Sequence, residues 1–231
     1  MQYRAALPMY DIDRAKTDRF WEAICAGLPF TPCFERPKDP GALLGDPALV
    51  LSQTCWGPIE AGMTPPLQIL AQPDYSDLPG GDGPLYRSAL VALGPGPDAP
   101  PSPLKETGED AQAGLLSGLH LAFNDLTSRS GYLAPTEDFS HPARGTATGS
   151  HAASLALVAE GGADVAAIDC LTLHLLRHTR ARAAVRVIGW TKPRLGLPFV
   201  AAPGLSADIH GAMQAALLEL DAHAPGPPGA P

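Results

Sequence analysis

The chain has 231 residues, 45% of them hydrophobic, enough for one large domain or for two lobes of about 100 residues each. Its formal charge of −8 argues against non-specific nucleic-acid binding and offers an anionic ligand no long-range attraction. Any anion site must therefore be assembled locally, from dipoles and neutral donors.

Taken in chain order, short apolar runs alternate with amphipathic stretches, the pattern of an α/β sheet. Tyr3 to Leu7 reads as a strand stopped by Pro8. Asp13 then caps a helix whose apolar positions Ala15, Phe20, Trp21, Ile24 and Leu28 share one face. Ala48 to Leu51 is a second strand, running into Ser52, Gln53, Thr54, Cys55 and Trp56. Leu67 to Ala71 is a third, followed by a turn-rich segment through Gly83. Tyr86 to Leu93 reads as one longer strand. The stretch from Gly94 to Pro103 is dense in glycine and proline and reads as poorly ordered or extended, as does the tail over 223–231.

Leu119 to Phe123 is the next strand, and it runs into a loop holding three hydroxyls, Thr127, Ser128 and Ser130. A helical turn is expected to start at Gly131, and free N–H groups there, joined by hydroxyls, suit an anion. One hydroxyl suffices for an N-cap, so three within four residues favour a ligand. The segment from Tyr132 to Thr146 is broken by Pro135 and Pro142. Gly149, Ser150 and His151 lead into a helix over Ala152 to Glu160, closed by Gly161 and Gly162. Ala163 to Ile168 is a buried strand ending at Asp169, and Leu171 to His178 continues as a helix. Val185 to Trp190 and Leu197 to Ala201 are further strands, and Ser206 caps a final helix reaching about His223.

Polar residues recur where strands end: Ser52 to Thr54, Thr127 to Ser130, Ser150 with His151, and Asp169. In open α/β sheets ligands bind beyond the carboxyl ends of strands, so these loops read as one convergent polar site.

Several segments in consistent order resemble the solute-binding proteins of phosphate, phosphite and phosphonate uptake systems. They are Ala6 to Tyr10, Leu51 to Cys55, Tyr86 to Ser88, Phe123 to Asp125 and Ser128 to Tyr132. They continue through Gly149 to His151, Ala163 to Asp169, Gly189 to Thr191 and Leu197 to Phe199. The resemblance implies an α/β, type II periplasmic-binding-protein fold of two lobes joined by two crossover hinge strands. It implies one lobe over 1–85 plus 190–222 and another over 86–189, hinged near Tyr86 and Gly189–Trp190, with ligand held in the cleft. It implies anion contacts from Thr127, Ser128, Ser130, His151 and Asp169, opposed by Tyr10, Ser52, Gln53 and Thr54. The implied ligand is a small oxyanion such as phosphate or a phosphonate, the implied partner an ABC transporter permease, and the implied state a monomer.

Plainer readings stand beside these. His151 either donates to an anion or stabilises the start of its helix, and Asp169 either meets ligand or caps the helix that follows. Ser52 to Thr54 carry the same ambiguity, and Trp190 either walls the cleft or packs in the hinge. As a ligand group, Asp169 would repel a dianion and favour one that keeps a proton or carries an amine. Ser150, His151 and Asp169 hold the residue types of a hydrolytic triad, but no G-x-S-x-G elbow is present. His174 and His178 stand i, i+4 without the glutamate of a zinc protease, so a solvated helix face is expected. Gly80 to Gly83 is a turn with no phosphate-loop lysine after it.

Cys25, Cys33, Cys55 and Cys170 have no metal spacing. Buried free thiols are expected, nothing specific supports a Cys25–Cys33 disulfide, and neither metal nor cofactor is implied. The N-terminal residues lack the charged and apolar regions of a leader, and no run approaches a membrane span. The expectation is a protein that is cytoplasmic as encoded, or periplasmic if a leader precedes this sequence. The function expected is non-catalytic solute binding for transport or sensing. The alternative is a cytosolic enzyme on the same fold, of pyrimidine-synthesis or menaquinone-pathway type, with His151, Cys55 or Asp169 chemically committed.

Overall fold

The computed structural model describes residues 2–101 and 114–225. The expectation for the tail beyond residue 225, and for the last residues of the Gly94–Pro103 stretch, lies outside the described residues. The chain divides into two compact units, unit 1 over 1–74 and 195–231 and unit 2 over 75–194. In unit 1 the elements are β1 (Arg4–Ala5), α1 (Arg14–Ala26), β2 (Cys33–Phe34), α2 (Pro40–Leu43), β3 (Leu49–Gln53), α3 (Trp56–Glu60) and β4 (Gln68–Ala71). Unit 2 follows with β5 (Gly81–Asp82), β6 (Leu85–Tyr86), β7 (Ser88–Leu93), β8 (His120–Phe123), a π-turn (Arg129–Leu133), α4 (Ala134–Phe139) and β9 (Arg144–Ala147). It continues with α5 (His151–Ala159), β10 (Val165–Asp169), α6 (Cys170–Leu175), α7 (Arg180–Ala183) and β11 (Val185–Trp190). The chain then returns through β12 (Arg194–Leu195), β13 (Phe199–Ala201) and α8 (Ala207–Leu218).

Unit 1 is built on a five-stranded sheet of order β2-β1-β3-β13-β4. β1 runs parallel to β2 and β3, while β13 runs antiparallel to β3 and β4. Asp13 caps α1 by accepting from the Lys16 N–H at 3.1 Å, and Ser206 caps α8 by accepting from Ile209 at 3.4 Å. The apolar stripes of these two helices meet over the sheet, where Ile24, Met213 and Leu217 are buried with Val50, Leu51 and Leu70. Leu43 and Leu44 cover a second cluster with Leu49 and Val200. α8 stops at Leu218, before the expected His223, which instead pairs with Gln72 through reciprocal backbone hydrogen bonds of 2.7 and 2.8 Å.

Unit 2 is built on a second five-stranded sheet, β11-β7-β10-β8-β9. β7 runs antiparallel to β10 and β11, whereas β10, β8 and β9 are mutually parallel neighbours. Side chains alternate cleanly across the sheet: Ala89 and Val91 face the α5 and α6 side, with Leu155, Val158 and Leu173, while Leu90 joins Leu116, Phe123 and Phe139 opposite. The expected strand from Tyr86 to Leu93 is two pieces. Leu85–Tyr86 closes a hairpin with β5, and the chain turns at Arg87, whose carbonyl accepts from the Cys170 N–H at 3.0 Å, before entering β7. The Gly80–Gly81 turn is dictated by crowding: a Cβ on Gly80 would lie 2.3 Å from the Trp190 ring, and one on Gly81 1.9 Å from the Tyr75 carbonyl oxygen.

Several features depart from the sequence reading. Pro135 lies at the start of α4, directly after the π-turn, instead of breaking a helix. α6 ends at Leu175, so His174 and His178 do not share a helix face, and no metal-binding group occurs among the described residues. β9 is short and mostly exposed, with no apolar alternation to reveal it.

The glycine- and proline-rich stretch is irregular, as expected, yet residues 98 and 99 are tied to the edge strand β11. The Asp98 carboxylate accepts from the Val187 N–H at 3.0 Å and pairs with Arg182, and the Ala99 N–H donates to the Val187 carbonyl at 2.9 Å. The Trp190 indole N–H donates to the Ala99 carbonyl at 2.7 Å. This strap occupies an edge that would otherwise expose unpaired backbone groups. Replacing Asp98 by alanine is expected to cost about 1–2 kcal/mol in unfolding free energy, through the lost charge-assisted hydrogen bond. Limited proteolysis should then cut the loop after β7 faster than in the wild type.

Candidate functional site: a hydroxyl turn, a buried imidazole and a capping carboxylate

β8 ends at Phe123, and Asn124 and Asp125 begin the turn that follows. The Asp125 carboxylate accepts from both the backbone N–H of Thr127 (2.8 Å) and its hydroxyl (2.5 Å), forming an Asx-turn. The Ser128 hydroxyl accepts from the Gly131 N–H at 3.0 Å and caps the π-turn, whose wide winding shows in the Leu133 N–H donating to the Ser128 carbonyl at 3.0 Å. Gly131 is required by close packing, since a Cβ there would sit 2.1 Å from the Asn124 amide oxygen. Of the three hydroxyls, Thr127 is committed to Asp125 and Ser128 to the cap, whereas Ser130, also buried, turns to His151.

Three elements deliver that meeting. β9, β8 and β10 are parallel neighbours, so each gives up its chain at the same edge of the sheet. The segment after β9 is pinned to the end of β8 by the Thr148 N–H on the Phe123 carbonyl (2.8 Å) and the Gly149 N–H on the Asn124 carbonyl (2.9 Å). Ser150 then caps α5, accepting from Ala153 at 3.1 Å, and His151 is the first helical residue. Its Nε2 lies 2.9 Å from the Ser130 hydroxyl and 3.5 Å from an Asp169 carboxylate oxygen. Asp169, at the end of β10, uses its other oxygen to cap α6, accepting from the Thr172 N–H at 2.8 Å. Asp169 thus caps a helix and approaches the imidazole at once, and Ser150 is a cap. No relay triad exists, because the serine and the carboxylate meet the same ring nitrogen, not opposite ones.

Burial holds the His151 pKa below the ordinary histidine range, against the opposing pull of Asp169, the Ala167 carbonyl and Asp125. Burial, reinforced by Asp169, pushes the neighbouring Cys170 thiol up to about 12, so it stays protonated and unreactive. The Asn124 amide oxygen is buried with no hydrogen-bond partner. Asn124 and Asp125 were not among the expected site residues; the signal was there in an Asn-Asp pair opening a hydroxyl-rich turn.

In unit 1, β1 and β3 are parallel neighbours, so the turn holding half-buried Tyr10 and the segment Ser52, Gln53, Thr54 leave the sheet at one end. These three are buried, and the Ser52 hydroxyl has no hydrogen-bond partner. Cys55 precedes α3 without capping it through its side chain, and Trp56 donates to the Gly196 carbonyl at 2.8 Å. None of the four cysteines forms a disulfide; Cys170 is buried as expected, while Cys25 is half-exposed, because it lies at the margin of the buried face of α1.

A histidine whose folded pKa is depressed binds fewer protons than in the unfolded chain, so it contributes stability that is present above about pH 6.5 and lost as pH falls. The ligand-free protein should therefore melt at progressively lower temperature as pH drops from about 7 to about 5. The decline should be shallower in a His151→Gln variant, measured by differential scanning calorimetry.

The family model for "ABC transporter, phosphonate, periplasmic substrate-binding protein" matches residues 67–228. No curated protein sequence matches the chain. Among solved structures, the fold resembles PhnD1 from Prochlorococcus marinus in complex with methylphosphonate, at 16% identity and a TM-score of 0.67, covering 94% of this chain and 84% of that one. A binding-protein component of an ABC phosphonate transporter from Pseudomonas aeruginosa aligns at 17% identity with a TM-score of 0.59, over 97% and 81% of the two chains. A Xanthomonas citri protein bound to ATP aligns at 13% identity with a TM-score of 0.61, over 94% and 82%. The fold is the two-lobe α/β fold of periplasmic binding proteins. The enzyme alternative finds no support, since the matching family comprises transporter substrate-binding proteins. No helix among the described residues is long and apolar enough to cross a membrane. The chain belongs to the phosphonate ABC-transporter periplasmic substrate-binding protein family, and it is a non-catalytic solute-binding protein.

Proposed function

We propose that this protein binds a small phosphonate or phosphate-like oxyanion at the hydroxyl turn of unit 2 and presents it to an ABC permease. The observation that carries the reading is the meeting of Ser130 and His151 at 2.9 Å, beside the π-turn that Ser128 caps. Both groups are largely withdrawn from water, and each can donate to an oxyanion. Ser128 accepts at its cap and so keeps its hydroxyl proton for the same ligand, and Thr127 joins it where its hydroxyl proton turns from Asp125 to the anion. Asp169 suits an anion that retains a proton or carries an amine.

Tyr10, Ser52, Gln53 and Thr54 of unit 1 are the contacts proposed to complete the coordination when the protein closes on its ligand. The unpartnered Ser52 hydroxyl supports that assignment, because a buried hydroxyl without a partner costs stability unless a ligand satisfies it. Family membership supports delivery to a permease and work in the periplasm; a monomer is the form proposed to act there.

A thermal-shift screen against phosphate, phosphite, alkyl- and aminoalkylphosphonates, sulfonates and pyrimidines tests the ligand class. A ligand at about 100 times its Kd stabilises by about 2.7 kcal/mol, a shift of several degrees. Ser130→Ala should weaken the binding of the ligand found by about 1–2 kcal/mol through a lost charge-assisted hydrogen bond, read by calorimetry. Ser150→Ala should instead cost about 1 kcal/mol of stability and leave affinity nearly unchanged, because that hydroxyl serves the cap of α5. Wild-type affinity in Ser130→Ala, with the fold intact, would remove the hydroxyl turn from the site.

A further inference from the structure

We propose that the oxyanion enters the hydroxyl turn together with one proton, taken up by His151. The inference rests on the anion-binding reading above and specifies how that site balances its charge.

The geometry creates the need. Asp169 cannot swing away from the site, because one of its oxygens is held by the Thr172 N–H at 2.8 Å while the other lies 3.5 Å from His151 Nε2. An anion seated on Ser130 is therefore brought close to a fixed carboxylate. The imidazole stands between them, 2.9 Å from the Ser130 hydroxyl. As an imidazolium the ring would carry positive charge at Nε2, the nitrogen that Ser130 and Asp169 both approach; as a neutral ring it carries none. In the ligand-free protein burial keeps the ring neutral. A bound anion adds negative charge at Nε2 and raises its proton affinity.

The charged groups around the ring leave it this role. From the turn after β8 comes Asp125, tied to Thr127; from β10 comes Asp169. Arg129 of the π-turn is engaged with Glu137 at 2.7 Å. α5 itself carries no charged side chain after His151, and the first along it is Glu160, the C-cap at its opposite end. Cys170 stays protonated beside Asp169. Both carboxylates oppose an incoming anion and favour a protonated ring.

The consequence is a defined linkage. Between the lower pKa of the free protein and the higher one of the complex, binding consumes about one proton and the dissociation constant rises about tenfold per pH unit. Affinity is lost as pH rises through the pKa of the complex.

Isothermal titration calorimetry of the full chain with methylphosphonate tests this, over about pH 5.5 to 8.5 in buffers of different ionisation enthalpy. A His151→Gln variant keeps an N–H donor but cannot titrate. The ionisation of methylphosphonate is common to both proteins and cancels in the comparison. The expected result is up to one more proton taken up per anion by the wild type, with a steeper dependence of Kd on pH. Equal proton uptake by the two proteins would overturn the proposal while leaving the anion reading intact. Failure of the wild type to bind methylphosphonate, phosphite or phosphate would overturn the anion reading and this proposal with it. Should His151→Gln not bind, the imidazole resonances of the wild type decide by NMR titration. A pKa that rises on adding methylphosphonate supports the proposal, and one that does not move overturns it.

Discussion

In a parallel ladder every strand delivers its carboxyl end to the same edge, and in unit 2 β9, β8 and β10 are three such neighbours. That single constraint gathers side chains far apart in sequence: the hydroxyl turn after β8, His151 after β9 and Asp169 after β10. Were β9 antiparallel to β8, the segment leading to α5 would emerge at the far edge and His151 could not reach Ser130. The backbone bonds from Thr148 and Gly149 to the end of β8 fix this placement.

The electrostatics follow from what the turn lacks. The protein is acidic, and its candidate anion site contains two carboxylates, three hydroxyls and an imidazole kept neutral by burial. Selectivity in such a site comes from hydrogen-bond geometry and from the proton count of the ligand, because attraction at a distance contributes nothing. Asp169 is the pivot of that arrangement. By capping α6 with one oxygen it is held rigidly enough for the other to act on His151. The capping and ligand-facing readings of such a residue are therefore compatible: a carboxylate has two oxygens, and the two tasks use different ones.

The hydroxyl turn divides its labour in the same way. A run of three hydroxyls looks redundant for a cap, yet Asp125 and the Gly131 N–H each engage one, leaving Ser130 turned to the imidazole. The π-turn widens the backbone at this point, and Gly131 accommodates it where a side chain would collide with Asn124. A buried amide oxygen on Asn124 and a buried hydroxyl on Ser52 remain without hydrogen-bond partners.

What the sequence by itself determined was local. Asp13, Asp169 and Ser206 announce helix starts because capping chemistry acts within three residues. β10 announces itself as an apolar run because a strand buried on both faces is continuously apolar, and β11 by the alternation of an edge strand with one face buried. The hydroxyl turn was equally legible, as a concentration of side chains that no cap requires. Only the tertiary structure decided the rest. β9 left no trace in the sequence because an exposed edge strand need not alternate. Pro135 looked like a break yet lies at the start of α4, directly after the π-turn. The proline-rich stretch looked unordered, yet Asp98 and Ala99 tie it to β11 by bonds to residues more than 80 positions away. The pairing of Ser130 with His151, 21 residues apart, and of His151 with Asp169 is likewise a product of strand order. Neither spacing nor composition encodes strand order locally; long-range burial selects it.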